Sequence, residues 1–186
     1  MTVRVSRYHP LLVAIHWLLA ALIVAALALG ALVMAKIPNS DPMKIGALRG
    51  HMIGGSAILI FMIIRLFVRV HTARPDPASA RHPALDRLAW TSHRLLYVLV
   101  FAQAASGALM ALHFDLPDIV FAGYGALPVD FWSYPARAVH YAVSRLLMVL
   151  IALHVAGALY HTFVLRDGLL RRMWFGKRTV AIPDQR

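Results

Sequence analysis

Cysteine is absent from these 186 residues. That excludes disulfides, iron–sulfur clusters, thiolate-ligated heme and covalently attached c-type heme, all of which need a thiol. Acidic side chains are scarce, 8 against 19 Lys and Arg, and charged residues of both signs make up only 15% of the chain. The resulting net charge of +11 is not a nucleic-acid signal, because the cations stand at the ends of apolar runs and not on a polar domain. No internal repeat is strong enough to organise the sequence. Polar sequence for a separate soluble domain is also lacking. Hydrophobic residues make up 60% of the chain and the mean hydropathy is +0.68, too apolar for an ordinary soluble domain.

What is present is a set of four apolar stretches near residues 11–35, 50–70, 88–112 and 137–165. Each is long enough for a bilayer, which needs roughly 20 apolar residues. The first is about twice the length of a signal-peptide core and carries His16 and Trp17, so it reads as a retained span. The expectation is an all-α integral membrane protein, one four-transmembrane-helix bundle occupying residues 1–186, with its sites between helices. Flexible connections are expected at 38–43, at 73–83 and after Gly176, where Pro, Gly or charge collects. Phe131, Trp132 and Tyr134 suit an interfacial belt.

The charges orient the bundle. Arg4 and Arg7 precede the first span, Arg65 to Arg94 surround the second connection, and Arg166 to Arg186 follow the fourth span. The third connection has Asp115, Asp118 and Asp130 and neither Lys nor Arg. Cytoplasmic ends collect Lys and Arg, so both termini are expected on the cytoplasmic side. The basic tail also suits contact with anionic membrane lipid.

Histidine carries the chemistry. His140 and His154 are fourteen residues apart in the fourth span, close to four helical turns, so they leave on nearly one face about 21 Å apart. His16 and His51 head the first two spans. With the chain entering from the cytoplasm, His51 and His140 match in depth near the outer side, and His16 and His154 near the inner side. Each pair can clamp one iron from two sides, giving six-coordinate hemes suited to moving electrons. One small metal ion would call for ligands one or two turns apart. Four-span transporters or assembly factors without heme are the rival class, in which membrane histidines only bond neighbouring helices.

The same fourteen-residue step runs from His16 to Gly30, from His93 to Gly107 and from His51 to Arg65. Glycine on the inward face leaves room for a flat macrocycle, or simply for close helix packing. Arg65 either meets a heme propionate or snorkels to the interface. Either His93 or His161 could replace an assigned ligand, His93 competing with His16 for His154. Both also suit a polar pocket in which a quinone carbonyl finds a donor and a proton source. Arg145, at mid-depth, meets a propionate or faces a watery path. Lys36, Lys44, Arg49 and Arg137 stand at the outer helix ends, where they offer an anion a positive approach.

Several segments resemble the bacterial cytochrome b(561) family of small four-span diheme proteins, including its superoxide-oxidising members. They are Ser6-Arg7-Tyr8 leading to Ile15-His16-Trp17, His51 with Gly54, Ile63-Ile64-Arg65-Leu66, Leu88-Ala89 up to His93, His140, Leu153-His154 with His161, and Asp167 before Leu169-Leu170-Arg171. The resemblance covers nearly the whole chain and is weakest in the second and third connections. It implies two noncovalent b hemes held by His16, His51, His140 and His154. It also implies a ubiquinone site on the inner side involving His161, His93 and Arg81. The expected activity is electron transfer between the periplasmic side and the quinone pool, with superoxide oxidised to oxygen. The alternative is a cytochrome subunit docked to a dehydrogenase or hydrogenase as redox partner protein.

Overall fold

The computed structural model describes residues 2–182. Four long helices dominate: α1 over Pro10–Ala28, α2 over Met43–His71, α3 over Pro83–His113 and α4 over Pro135–Tyr160. Two of them end in wider π-helical turns, Leu29–Met34 after α1 and His161–Leu165 after α4. All four are long and apolar enough to cross a membrane. Helices are the only open segments that satisfy every backbone polar group without water, so apolar runs of this length become helices in lipid.

Proline sets the starts. Pro10, Pro83 and Pro135 open α1, α3 and α4, where a missing N–H costs nothing and the fixed φ suits a helix. His9 caps α1, its Nδ1 accepting from the Leu11 amide. Helix α2 begins seven residues before the start expected from apolar density, and α3 five residues before. Lys44, Arg49, Asp86 and Arg87 made those first turns look like loop, yet they continue the helix beyond the apolar zone.

The helices pack as two antiparallel hairpins, α1 on α2 and α3 on α4, with α2 against α3. A buried layer of Ile15, Leu19, Ile58, Met62, Val100, Val143 and Leu147 draws on all four helices and fills the middle of the bundle. A second cluster of Leu48, Leu116, Ile119 and Val120 closes one end, where the α3–α4 connection folds over α2.

The fold is mostly, not entirely, helical. Strands β1 (Thr2–Val5) and β2 (Thr179–Ile182) form an antiparallel pair, Thr2 opposite Ile182 and Val5 opposite Thr179. Each is too short to signal a strand alone, and pairing across the chain is what supports it. The tail expected to be flexible is therefore a strand through Ile182. A short helix α5 (Leu169–Arg172) precedes it, and the Ser6 amide and hydroxyl both donate to the Arg178 carbonyl. Trp17 donates from Nε1 to the Met173 carbonyl. Both termini thus lie at the same end of the bundle.

Candidate functional site

The four span histidines come together in two pairs. His51 and His140 have ring centroids 6.1 Å apart with planes at 74°. His16 and His154 are 6.3 Å apart at 77°. Along α2 and α4 the buried Ile58, Met62, Val143 and Leu147 lie between the two levels. Both pairs straddle the seam between the hairpins, joining α2 to α4 and α1 to α4.

The spacing tests what such a pair can hold. A metal–nitrogen bond of about 2 Å and roughly 1.1 Å from nitrogen to ring centre put two imidazole centroids about 6 Å apart across one metal. Both pairs meet that distance. No group of three or more His or Asp side chains converges among the described residues. Each pair offers two ligands, so its metal must bring the rest, as porphyrin iron does.

Hydrogen bonds around His140 set its tautomer. The Ser106 hydroxyl donates to the Gln103 carbonyl, so it accepts from His140 Nδ1 at 3.0 Å. That fixes the hydrogen on Nδ1 and leaves the lone pair on Nε2, the arrangement a metal-bound histidine needs. The Gln103 amide donates to that lone pair at 2.9 Å and would have to swing aside for a metal there. Its Oε1, like His51 Nδ1, is buried without a partner among the described residues. Gly107 backs the same ring: a Cβ there would stand 3.3 Å from His140 Cε1. At Gly30 a Cβ would stand 3.9 Å from His51 Cε1. Both glycines therefore lie beside the outer pair, Gly107 packed closely on His140 and Gly30 with room for ordinary contact with His51.

Arg65 points inward, so it does not snorkel. Its guanidinium donates to the Tyr97 hydroxyl at 2.8 Å and to His16 Nδ1 at 3.3 Å, with the Nε buried and unpartnered among the described residues. A guanidinium only donates, so Nδ1 carries the lone pair and His16 Nε2 the hydrogen. Ligation through Nε2 requires Arg65 to release His16, and Tyr97 remains to hold it.

His93 lies 5.0 Å from His154, too close for one metal between them. Its Nδ1–H donates to the Ala89 carbonyl, and its side chain is exposed. Beyond the inner pair, His161 is buried and bonds Asp167 Oδ2 from Nδ1 at 2.6 Å. The other Asp167 oxygen accepts from the Leu169 amide. Burial pushes the Asp167 carboxyl up, but the hydrogen bonds from His161 and Leu169 outweigh it and hold the group below its usual range. It stays anionic at neutral pH, and its stabilising contribution is lost only as pH falls through that lowered value. Arg81 is exposed, with φ 58°, its amide held by the Ser79 hydroxyl; the structure brings it to neither histidine pair. Arg145 is exposed and stacks on Tyr141, which does not explain its depth.

The outer cations separate into two kinds. Lys44 is buried and donates to the Met34 and Ile37 carbonyls. Arg49 donates to the Val120 carbonyl. Both are tied to the backbone, which fixes where their charges sit. Arg137 stacks over Trp132 at 4.7 Å.

Tyr97, Gln103 and Ser106 were not singled out from the sequence. The signal was available: His93, Tyr97, Val100, Gln103 and Gly107 recur at steps of three or four, one face of α3. Polar side chains on such a face inside an apolar span mark function.

Residues 7–176 match the family of prokaryotic cytochrome b561. The chain is 30% identical over 173 residues to "Cytochrome b561 homolog 2" of Escherichia coli (strain K12), covering 90% of this chain and 91% of that protein. It is 25% identical over 182 residues to "Probable superoxide oxidase CybB" of Yersinia pestis, covering 93% and 98%.

Proposed function

The chain belongs to the prokaryotic cytochrome b561 family, multi-pass membrane proteins that bind heme b and transfer electrons, and on that footing we propose that it oxidises superoxide at one membrane face and reduces quinone at the other. The observation that carries the reading is the two imidazole pairs, each spaced for one iron and separated by an apolar layer. Two b hemes bound there supply one-electron steps across the membrane. The balance is simple: two superoxide anions lose one electron each and leave as oxygen, and a quinone takes both electrons and two protons. The name of the Yersinia pestis relative supports superoxide as donor.

The chain's own residues do the rest. His51 and His140 hold the outer group, with Ser106 fixing the His140 tautomer. His16 and His154 hold the inner one. Ile58, Met62 and Leu147 keep water out of the space between them. Arg137 supplies the positive field at the outer pair. At the other end His161, held through Nδ1 by anionic Asp167, takes a proton from water on Nε2 and passes it to the reduced quinone. The sheet joining both termini and the Lys/Arg-rich ends support placing that end in the cytoplasm of a bacterial inner membrane.

Stopped-flow spectroscopy separates the halves. Superoxide should reduce the purified protein quickly, more slowly in high salt, and ubiquinone should reoxidise it. Arg137→Glu should slow reduction by about tenfold without loss of heme, because steering of an anion is reversed. His161→Ala should slow only the reoxidation. Slow, salt-independent reduction by superoxide would overturn the donor assignment and leave a cytochrome served by a protein partner.

Arg65 gives a second measurement. Arg65→Leu removes a positive charge beside the inner pair, which favours the ferric state there. The inner midpoint potential should fall by roughly several tens of millivolts, while the outer changes little. Equal potentials in variant and parent would exclude Arg65 from tuning the inner site.

A further inference from the structure

The end of the bundle that carries both termini holds an open hollow of about 520 Å³, within the roughly 300–1,000 Å³ of known ligand sites. It contains no histidine, and it touches the inner site only through Asp167 on its rim. Arg7, Arg171, Arg172 and Lys177 line it, against Asp76 and Asp167, leaving two positive charges in excess. Asp167 is already engaged by His161 and the Leu169 amide. Arg7 is pinned by the Trp174 and Phe175 carbonyls, and Arg172 by the Asp76 carbonyl. Arg171 and Lys177 are exposed and make no side-chain hydrogen bond or ion pair among the described residues. Fixed arginines beside two uncommitted cations form a ready anion receptor, since guanidinium matches phosphate oxygens in pairs.

The neighbourhood selects the anion. A second hollow of about 400 Å³ adjoins the first and shares Arg7 and Arg171 with it. Its other lining is Leu170, Trp174 and Phe175, all exposed. Trp belongs at the headgroup level of a membrane, and clustered Lys and Arg at a span's end attract anionic lipid. One polar, basic hollow continuous with one apolar, aromatic hollow matches the two halves of a single molecule. We propose that this is a binding site for an anionic phospholipid, the phosphate held by Arg7, Arg171, Arg172 and Lys177 and the glyceride end along Leu170, Trp174 and Phe175.

Native mass spectrometry of the heme-loaded protein in detergent tests it, with dioleoyl-phosphatidylglycerol and dioleoyl-phosphatidylcholine as probes. One phosphatidylglycerol should stay bound at an activation that strips phosphatidylcholine. Arg171→Gln with Lys177→Gln should weaken phosphatidylglycerol by about thirtyfold, leaving phosphatidylcholine and the heme spectrum unchanged. Arg87→Gln with Arg94→Gln removes the same charge elsewhere and should leave retention intact. Leu170→Asn should weaken the lipid too. Equal retention of the two lipids overturns the proposal, and so does an equal loss in the Arg87/Arg94 variant. Displacement of the lipid by millimolar inorganic phosphate, with Leu170→Asn indistinguishable from the parent, also overturns it and leaves a free-phosphate site.

Discussion

With two hemes bound as proposed, His140→Ala should leave one of them, and His51→Ala should leave the same one. His16→Ala and His154→Ala should each remove the other. Each pair has the separation of two imidazoles on one metal, and no third His or Asp joins the outer pair among the described residues. In a noncovalent site, losing one of the two histidines that would hold the group removes much of what keeps it bound. Pyridine hemochrome gives the heme-to-protein ratio, and a redox titration of each variant tells which component has gone. The inner site has one competitor. His93 already has its Nδ1–H committed to the Ala89 carbonyl, which leaves Nε2 available, but its ring stands 1.3 Å nearer to His154 than that of His16 does. If His93→Ala loses a heme while His16→Ala keeps both, the spacing argument fails and His93 takes the place.

Lys44→Met should cost about 3 kcal/mol of stability, the largest expected effect outside the histidines. Lys44 is only 7% exposed, and its ammonium donates to Met34 O at 2.6 Å and Ile37 O at 2.7 Å. Met34 closes the π turn after α1, so its carbonyl is one of those a helix end leaves without a partner. Bonds to a charged donor contribute about 1.5–3 kcal/mol each, and the cost of burying the ammonium offsets part of the pair. Methionine matches the stem but leaves both carbonyls unbonded. Thermal unfolding in detergent compares it with Lys36→Met, an exposed control that should melt like the parent. Equal melting of all three would mean that solvent serves those carbonyls and the clamp contributes nothing.

Lys44 also illustrates what the sequence could and could not tell. Helix count followed from apolar length alone, because lipid leaves a long apolar run no alternative to helix. The histidine pairs followed from depth, which advances by a fixed rise per residue. Side-chain direction at helix ends did not follow. Lys44 and Arg49 count as outer cations in sequence, yet both turn inward to carbonyls whose need for partners depends on where neighbouring elements stop. Arg65 was ambiguous between interface and interior for the same reason, and only the presence of Tyr97 opposite it decides. The strand pair was invisible because its two halves lie at opposite ends of the chain.

That strand pair has a consequence for how the molecule is made. A ribosome makes Thr2–Val5 long before Thr179–Ile182, so the earlier strand waits for its complement until all four spans have been made. Until then Trp17 has no Met173 carbonyl to bond and Ser6 no Arg178. The first hairpin therefore enters the bilayer unlatched, and the bundle is fastened only after the fourth span. A stop codon shortly before Thr179 would spare every histidine and still leave the barrel of helices without its buckle.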